Sequence, residues 1–233
     1  MFLDIYPKDP QNFKKNELNT LQTLRTQPFF QQNFQQLYLD AEQEYFRNDS
    51  PRFQNFEFES HIDITIDQVL RRVYFGGKMI RDGRKQKYEE ISYYLAICQS
   101  GCLPCQILRK FHFDCAVPGI LRNKVVPLFH LQYAGELTPY LTKDGFNLNN
   151  MESGFSEPRI IHFPITLALL LNMIFVEAED EKIKTYLLDE IWLNLVRKNE
   201  EFILFKYYEK CGNLIKLSKR NNSSFILDHC YAA

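Results

Sequence analysis

The sequence predicts an α+β protein, in which N-terminal helices and a C-terminal helical bundle pack on a twisted antiparallel sheet of about five strands over residues 53–134. Three observations support this class. Apolar residues recur at helical spacing before residue 47 and after residue 164, whereas the period between them changes to two. Aromatic residues make up 15% of the chain, which is typical of sheet-rich structures. Helices, strands and helices follow one another without alternating strand–helix units, which favours antiparallel pairing.

Length and composition limit the class of protein further. A chain of 233 residues has the length of one large domain, and we expect a single domain over residues 1–233. Hydrophobic residues make up 45%, which excludes a disordered chain. The formal net charge of −1 provides no general attraction to nucleic acid or to anionic lipid. The N-terminus shows no signal-peptide pattern and the apolar run 160–176 is short for a membrane span, so we expect a cytoplasmic protein with reduced cysteines.

The first half of the chain changes from helical to strand periodicity. Residues 11–47 are predicted as helices, because Phe30, Phe34 and Leu37 recur at helical spacing. Residues 56–67 alternate strictly between apolar and polar side chains, which predicts a half-buried strand with His61 and Asp63 on its polar face. Residues 73–80 are predicted as a hairpin, with Gly76 and Gly77 supplying positive φ at the turn.

The second half is predicted as three strands, a loop and three helices. Residues 89–97, 107–114 and 127–133 are rich in aromatic and β-branched residues and are predicted as strands. Residues 135–160 have the texture of a loop. The helical part covers residues 164–218, with an apolar helix at 164–177, an amphipathic helix at 180–198 and a third helix at 199–210 that Gly212 ends.

Three cysteines lie close together in "CQSGCLPC", at Cys98, Cys102 and Cys105. Their C-x3-C-x2-C spacing resembles the cluster loop of the radical SAM enzymes, and this resemblance implies three thiolates on a four-iron cluster. "GCLPCQIL" resembles the thioredoxin active-site turn, which implies a redox pair with Cys102 as nucleophile and Cys105 as resolving thiol. A zinc site that recruits Cys102 and Cys105 with Cys115 and His112 is a third alternative.

We interpret the cysteine segment instead as a connection between strands. Gly101 and Pro104 are turn residues, and thiols are small apolar side chains that fill space. Pro104 stands where the radical SAM family usually has an aromatic residue, and residues 107–114 alternate like a strand where the thioredoxin turn requires a helix. We therefore predict no cofactor, iron or disulfide at these cysteines.

The strands at 107–114 and 127–133 carry the stronger candidate site. "FHFD" and "PLFHLQY" place aromatic residues on one face, and if the two strands pair, the polar residues share the other face. An imidazole beside a carboxylate is suited to general acid–base chemistry, and two imidazoles with a carboxylate can hold a divalent metal. The catalytic candidates are His112, Asp114, His130 and Gln132, the ligands of any divalent metal are His112, His130 and Asp114, and the secondary candidates are His61 and Asp63.

Two functional classes follow from these patterns. The first is a hydrolase-like enzyme, acting on phosphodiesters, with His112 and His130 as acid and base or as metal ligands and Asp114 as their orienting partner. The second is a non-catalytic interaction or regulatory subunit whose aromatic surface binds a protein partner or a second copy of the chain. Net charge does not support a nucleic-acid partner, no membrane partner is expected, and the sequence alone leaves open whether the protein is an enzyme.

Overall fold

The structure, a computed structural model, confirms an α+β architecture with an antiparallel sheet. The residues that it describes are 10–46, 53–82, 87–99, 107–115, 126–127, 129–133, 159–224 and 231–232. The helices are α1 (Pro10–Arg25), α2 (Gln31–Phe46), α3 (Leu167–Glu177), α4 (Glu181–Leu187), α5 (Glu190–Asn199) and α6 (Phe205–Asn221), and a π-helical segment, Glu200–Leu204, joins α5 to α6. The strands are β1 (Phe53–Ile66), β2 (Val69–Asp82), β3 (Lys87–Gln99), β4 (Ile107–Cys115), β5 (Val126–Pro127), β6 (Phe129–Tyr133), β7 (Arg159–Ile161) and β8 (Tyr231–Ala232).

The main sheet of the described residues has six strands in the order β1-β2-β3-β4-β6-β7, and neighbours in that order are antiparallel. The predicted pairing of 107–114 with 127–133 is confirmed by the β4–β6 ladder. The sheet has a further strand beyond the five that the sequence suggests, because β7 pairs with β6 at the end of the region predicted as a loop. Strands β5 and β8 form a separate pair.

The first hairpin lies elsewhere than predicted. Residues 73–80 are not a hairpin but the middle of β2, and the turn between β1 and β2 is formed by Asp67 and Gln68. Both turn residues have positive φ, 51° and 59°, as a two-residue type I′ connection requires. Neither Gly76 nor Gly77 has a positive φ. The glycine pair therefore does not form a turn. Both glycines instead leave room for aromatic rings of the neighbouring strands.

One face of the sheet forms the core with the helices. Strict alternation along β1 buries Phe58, Ile62 and Ile64, as the sequence predicts. The ring of Phe34 on α2 stacks on Phe75 of β2 with centroids 5.6 Å apart. Burying such apolar surface is the main favourable term in folding. Helix α2 is thus held to this face of the sheet, and the opposite face carries the polar residues.

The C-terminal helices differ from the predicted segmentation in two places. Residues 180–198 are two helices rather than one, because Asp189 accepts a hydrogen bond from the Ile191 N–H at 2.7 Å and caps a new helix, α5. As a result Leu188 and Ile191 are exposed. Gly212 does not end a helix but lies inside α6, where a glycine costs only about 1 kcal/mol relative to alanine.

A buried polar network joins α1 to the C-terminal helices. Glu17 is fully buried and accepts a hydrogen bond from the Leu167 N–H at the start of α3, at 2.9 Å. Asn16 donates to Glu17 at 3.2 Å and to Asn199 at 2.7 Å, and Asn199 donates to the Leu195 carbonyl at 2.9 Å. Burial raises the pKa of Glu17 to about 7, although these hydrogen bonds lower it in part.

Within the described ranges, no helix combines the length and the apolar character that crossing a bilayer requires.

Candidate functional site

The face of the sheet opposite the helix-packed face carries most of the sheet's ionisable side chains. We call this surface the polar face. Its described members are Glu57, Glu59, His61 and Asp63 of β1, Arg72, Tyr74 and Lys78 of β2, Ser92 and Tyr94 of β3, and Lys110, His112 and Asp114 of β4. Several of them are buried, among them Tyr94, Ser92 and Lys110. A buried polar group needs a hydrogen-bond partner, and among the described residues the buried Tyr94 hydroxyl has none.

The strand register aligns these residues in two rows that run across the sheet. The first row is Glu57, Lys78, Ser92, Asp114 and His130, each paired with the next. The second row is Glu59, Gly76, Tyr94, His112 and Gln132. Residues paired across antiparallel strands are direct neighbours on one face. The register therefore places all four primary candidates of the sequence at one end of these two rows.

The two candidates on β4 lie close together. The Nε2 atom of His112 is 3.4 Å from Oδ1 of Asp114, and both side chains are mostly shielded from solvent. This separation is slightly longer than a hydrogen bond of about 2.7–3.2 Å. On β6, the backbone of His130 pairs with Asp114 and that of Gln132 with His112, while the side chains of these two residues lie outside the described part of the structure. Their predicted roles remain predictions.

Gly76 makes room for the Tyr94 side chain within the second row. A Cβ atom at this position would collide with the ring and hydroxyl of Tyr94, so only glycine leaves room for that side chain across the row. Burial and the negative charge of nearby Glu59 raise the pKa of the Tyr94 hydroxyl. Tyr94 is thereby kept protonated, and its hydroxyl can donate a hydrogen bond beside His112 but not a proton.

A small cavity lies where the two rows meet. Its volume of about 20 Å³ is room for one water molecule. It is lined by Glu57, Phe58, Glu59, Gly77, Lys78, Ser92, Tyr94 and His112. Because the lining residues carry an imidazole, two carboxyl groups, two hydroxyls and an ammonium, a water held there would be within reach of both proton acceptors and donors.

The secondary candidates form a separate cluster at the edge of the sheet. Arg72 donates two hydrogen bonds to Asp63, at 2.8 and 3.0 Å, and these hold the pKa of Asp63 below its usual value. His61 packs on Tyr74 with ring centroids 5.3 Å apart. His61 and Asp63 do not line the cavity beside His112, so they are not part of the His112 cluster.

An open cleft adjoins this edge cluster. It has a volume of about 460 Å³ and lies between the start of α2 and the edge strand β1. Asn33 crosses it to donate a hydrogen bond to the His61 carbonyl at 3.1 Å, which covers part of the strand edge. Since Asp63 and Arg72 neutralise each other, the cleft offers a paired charge rather than a free anion or cation.

Two of the described cysteines belong to the sheet, where Cys98 pairs with Arg72 and Cys115 follows Asp114. Cys98 is buried in β3, and burial raises the pKa of Cys115 at the end of β4, so its thiol is an inert apolar filler. Cys102 and Cys105, the less favoured zinc or redox pair, lie outside the described residues. Within the described part of the chain, no three His, Cys, Asp or Glu side chains are arranged to hold a metal ion. The set of His112, Asp114 and His130 is not tested by this, since it includes His130.

Sequence reasoning found the β4 pair but missed the rest of the rows. The strand register pairs Tyr94 of β3 with His112, and Glu59 of β1 lines the same small cavity as His112. The signal that could have found them is the Gly76–Gly77 pair within a long alternating segment, which indicates a close approach of large side chains. No protein-family model matches the chain, and no curated protein or solved structure shows significant similarity to it.

Proposed function

We propose that the two polar rows form a hydrolase-like acid–base site centred on His112. The observation that carries this proposal is the register of β4 with β6, which aligns the H-x-D and H-x-Q motifs, together with the His112–Asp114 contact of 3.4 Å. In this proposal Asp114 orients the imidazole, and His112 removes a proton from a water molecule that attacks the substrate. His130 and Gln132 complete the site from β6.

The polar face carries charges of both signs near His112, Lys78 and Lys110 against Glu57, Glu59 and Asp114, and the two lysines are the groups that could bind an anionic substrate such as a phosphodiester. Lys78 and Lys110 bring positive charge to the same face, and the protonated Tyr94 hydroxyl can donate a hydrogen bond to a water held in the small cavity. A divalent metal would be held by His112, Asp114 and His130, whose two nitrogens and one carboxylate are a donor set that zinc accepts in catalytic sites. Such a metal would supply the activation of water.

The experiment compares hydrolysis by the intact chain and its variants. The substrates are chromogenic phosphomonoesters, phosphodiesters and carboxylic esters, each assayed with zinc, with manganese and with a chelator. We expect His112→Ala and Asp114→Asn to lower kcat by about 100-fold or more, as the loss of a general base generally does. His61→Ala is the matched control, because it removes an imidazole of the same face in the separate edge cluster and should leave kcat unchanged.

A second readout does not depend on the choice of substrate. Inorganic phosphate or orthovanadate should shift the imidazole NMR signals of His112, and this shift should be lost in Asp114→Asn. Loss of activity in His61→Ala alone would move the site to the edge cleft. Absence of both hydrolysis and a His112 signal change in the intact chain would refute the hydrolytic site.

The second candidate is a non-catalytic interaction subunit, and one observation favours it. Large apolar side chains are exposed on the C-terminal helices, including Val176, Leu188 at 79%, Ile191 and Phe205. Exposed apolar surface of this kind marks protein–protein contact sites when it is contiguous. The apolar residues of α6 meet this condition, and they indicate which partner the surface fits.

A further inference from the structure

Helix α6 has apolar residues on two different sides. One face packs on the core through Tyr207, Cys211 and Leu214, and the ring of Tyr207 contacts Phe129 with centroids 5.6 Å apart. The other face exposes three large side chains, Phe205 at 58%, Tyr208 at 56% and Ile215 at 38%. A helix that packs against a single neighbour needs only one apolar face. The second face is therefore suited to a partner.

Leu217 of α6, which is 45% exposed, lies on another side of the helix, and the other exposed apolar residues form one stripe. With Gly212, they occupy positions 205, 208, 212 and 215, whose spacing of three, four and three residues keeps them on one side of a helix. We call this set the α6 stripe. It is symmetric about position 210, since Phe205 and Ile215 are equidistant from that position, as are Tyr208 and Gly212. A stripe with this symmetry is complementary to its own copy turned end for end.

We propose that two copies of the chain associate through antiparallel packing of their α6 stripes, across a twofold axis near position 210. Phe205 then lies opposite Ile215 of the second copy, and Tyr208 lies over Gly212. A Cβ atom added at Gly212 would meet no atom within 4 Å in one copy, so the space above this glycine is open to the incoming ring. An isologous twofold contact of this kind is the commonest form of self-association.

The charges of the same helix favour this orientation over a parallel one. The acidic end carries Glu200 and Glu201, and the basic end carries Lys219 and Arg220. The same symmetry sets Glu201 opposite Lys219 and Glu200 opposite Arg220, so both ends of the pair gain opposite charges. Parallel packing would place like charges side by side, which opposes association. The complementarity of the two ends identifies the occupant as a second copy, and the contact can form whether or not the polar face is hydrolytic.

The first test is the mass of the intact chain in solution from about 1 μM to 1 mM, the range in which modest interfaces associate. Sedimentation equilibrium should show a monomer–dimer equilibrium. Tyr208→Glu should raise the dissociation constant at least tenfold, because it places two charges in the centre of the stripe. Leu188→Glu is the matched control, since it changes an even more exposed apolar residue outside the stripe and should leave association unchanged.

The second test addresses the orientation. Glu201→Lys and Lys219→Glu should each weaken the dimer about three- to tenfold, because each creates a like-charge pair at both ends of the interface. The double variant Glu201→Lys/Lys219→Glu restores both pairs and should restore the dissociation constant. Circular dichroism melting curves check that every variant is folded. A monomer at all concentrations, or a dimer indifferent to Tyr208→Glu, would overturn the proposal, and a double variant weaker than either single variant would overturn the antiparallel register.

Discussion

Gly77 lies beneath two buried aromatic rings. A Cβ atom at this position would come within 2.8 Å of both Phe58 on β1 and Tyr93 on β3, a separation that real Cβ contacts essentially never show. The side chains of Phe58 and Tyr93 are only 4% and 1% exposed, so moving either ring would disturb the packed core around it. The two glycines thus serve opposite faces, because Gly77 makes room in the core and Gly76 makes room for Tyr94 on the polar face.

Gly77→Ala should lower the free energy of unfolding by about 1–3 kcal/mol, because a methyl group forced into a packed site displaces its neighbours. Urea denaturation measures this change. The partner variant is Phe58→Leu, which opens space beside the new methyl group. The double variant should lose less stability than the sum of the two single losses, since the two sites share one space. Additive losses, or an unchanged midpoint for Gly77→Ala, would contradict this role.

At the residue scale, sequence patterns predicted His112 and Asp114 of the candidate site but did not predict Tyr94 and Glu59. The H-x-D spacing on a strand is enough to place His112 and Asp114 on one face, because that relation is local. The approach of Tyr94 and Glu59 depends on a register among three strands and on a glycine between them. Since no local pattern encodes register, those residues appear only when the strands are placed together.

The β1–β2 hairpin is held at its turn by the link between α3 and α4. The Thr65 N–H donates to Asp180 at 2.6 Å, the Glu179 N–H donates to the Thr65 carbonyl at 2.8 Å, and the Gln68 N–H donates to Glu179 at 2.9 Å. These bonds occupy the edge of β1 beside the turn, where unpaired backbone groups would invite another strand. The carboxylate of Asp180 thus accepts a hydrogen bond from strand β1 and makes no capping hydrogen bond to its own helix, α4.

Gln68→Gly should raise the free energy of unfolding by about 0.5–1 kcal/mol. At φ 59°, Gln68 is in the left-handed region, which costs residues with a side chain about 1 kcal/mol and costs glycine nothing. The backbone N–H that binds Glu179 is kept in the variant. Val69→Gly is the control, because the next residue lies in β2 and glycine should weaken a strand. Equal effects of the two variants on urea denaturation would refute strain at the turn.

At the element scale, period and composition predicted which segments are helices and strands but not where they are interrupted. The apolar spacing of Ile183, Leu187, Ile191 and Leu195 suits one continuous helix. This spacing gives no indication that a second helix begins after its N-cap residue, Asp189. The first turn was missed for the converse reason, because Asp67 and Gln68 carry no glycine although both have positive φ. In each case a specific hydrogen bond or tertiary anchor outweighs local propensity.

Glu17 links three parts of the molecule, since it belongs to α1, accepts from the start of α3 and reaches α5 through Asn16 and Asn199. Its pKa is about 7 when folded, against 4.5 for the model compound. The folded chain therefore holds the proton more tightly than the unfolded chain. The stability that protonated Glu17 contributes is therefore fully present below pH 4.5, and it is lost as the pH rises towards 7.

Glu17→Gln should remove this dependence, because the amide stays neutral at every pH and can still accept the Leu167 hydrogen bond. The variant should gain stability relative to the natural chain as pH increases from about 5 to 8, by roughly 1–3 kcal/mol in total. Urea denaturation at several pH values and one protein concentration measures the difference. Glu190→Gln, at an exposed site on α5, is the control and should follow the natural chain. Parallel curves for Glu17→Gln and the natural chain would show that Glu17 does not titrate with folding.

The chain has a single tryptophan, Trp192, and it lies among the helices. Its indole is fully buried, donates to Asn172 at 3.0 Å, and contacts the rings of Tyr186 at 5.2 Å and Phe175 at 5.3 Å. Excitation at the long-wavelength end of protein absorption therefore selects this tryptophan. The wavelength of its emission maximum reports whether α3, α4 and α5 remain packed together. The far-ultraviolet circular dichroism reports the backbone of all helices and strands together. The protein thus carries a local optical reporter of the helix packing and a global reporter of its secondary structure, and coincidence of the two unfolding transitions would show that the whole molecule melts as one cooperative unit.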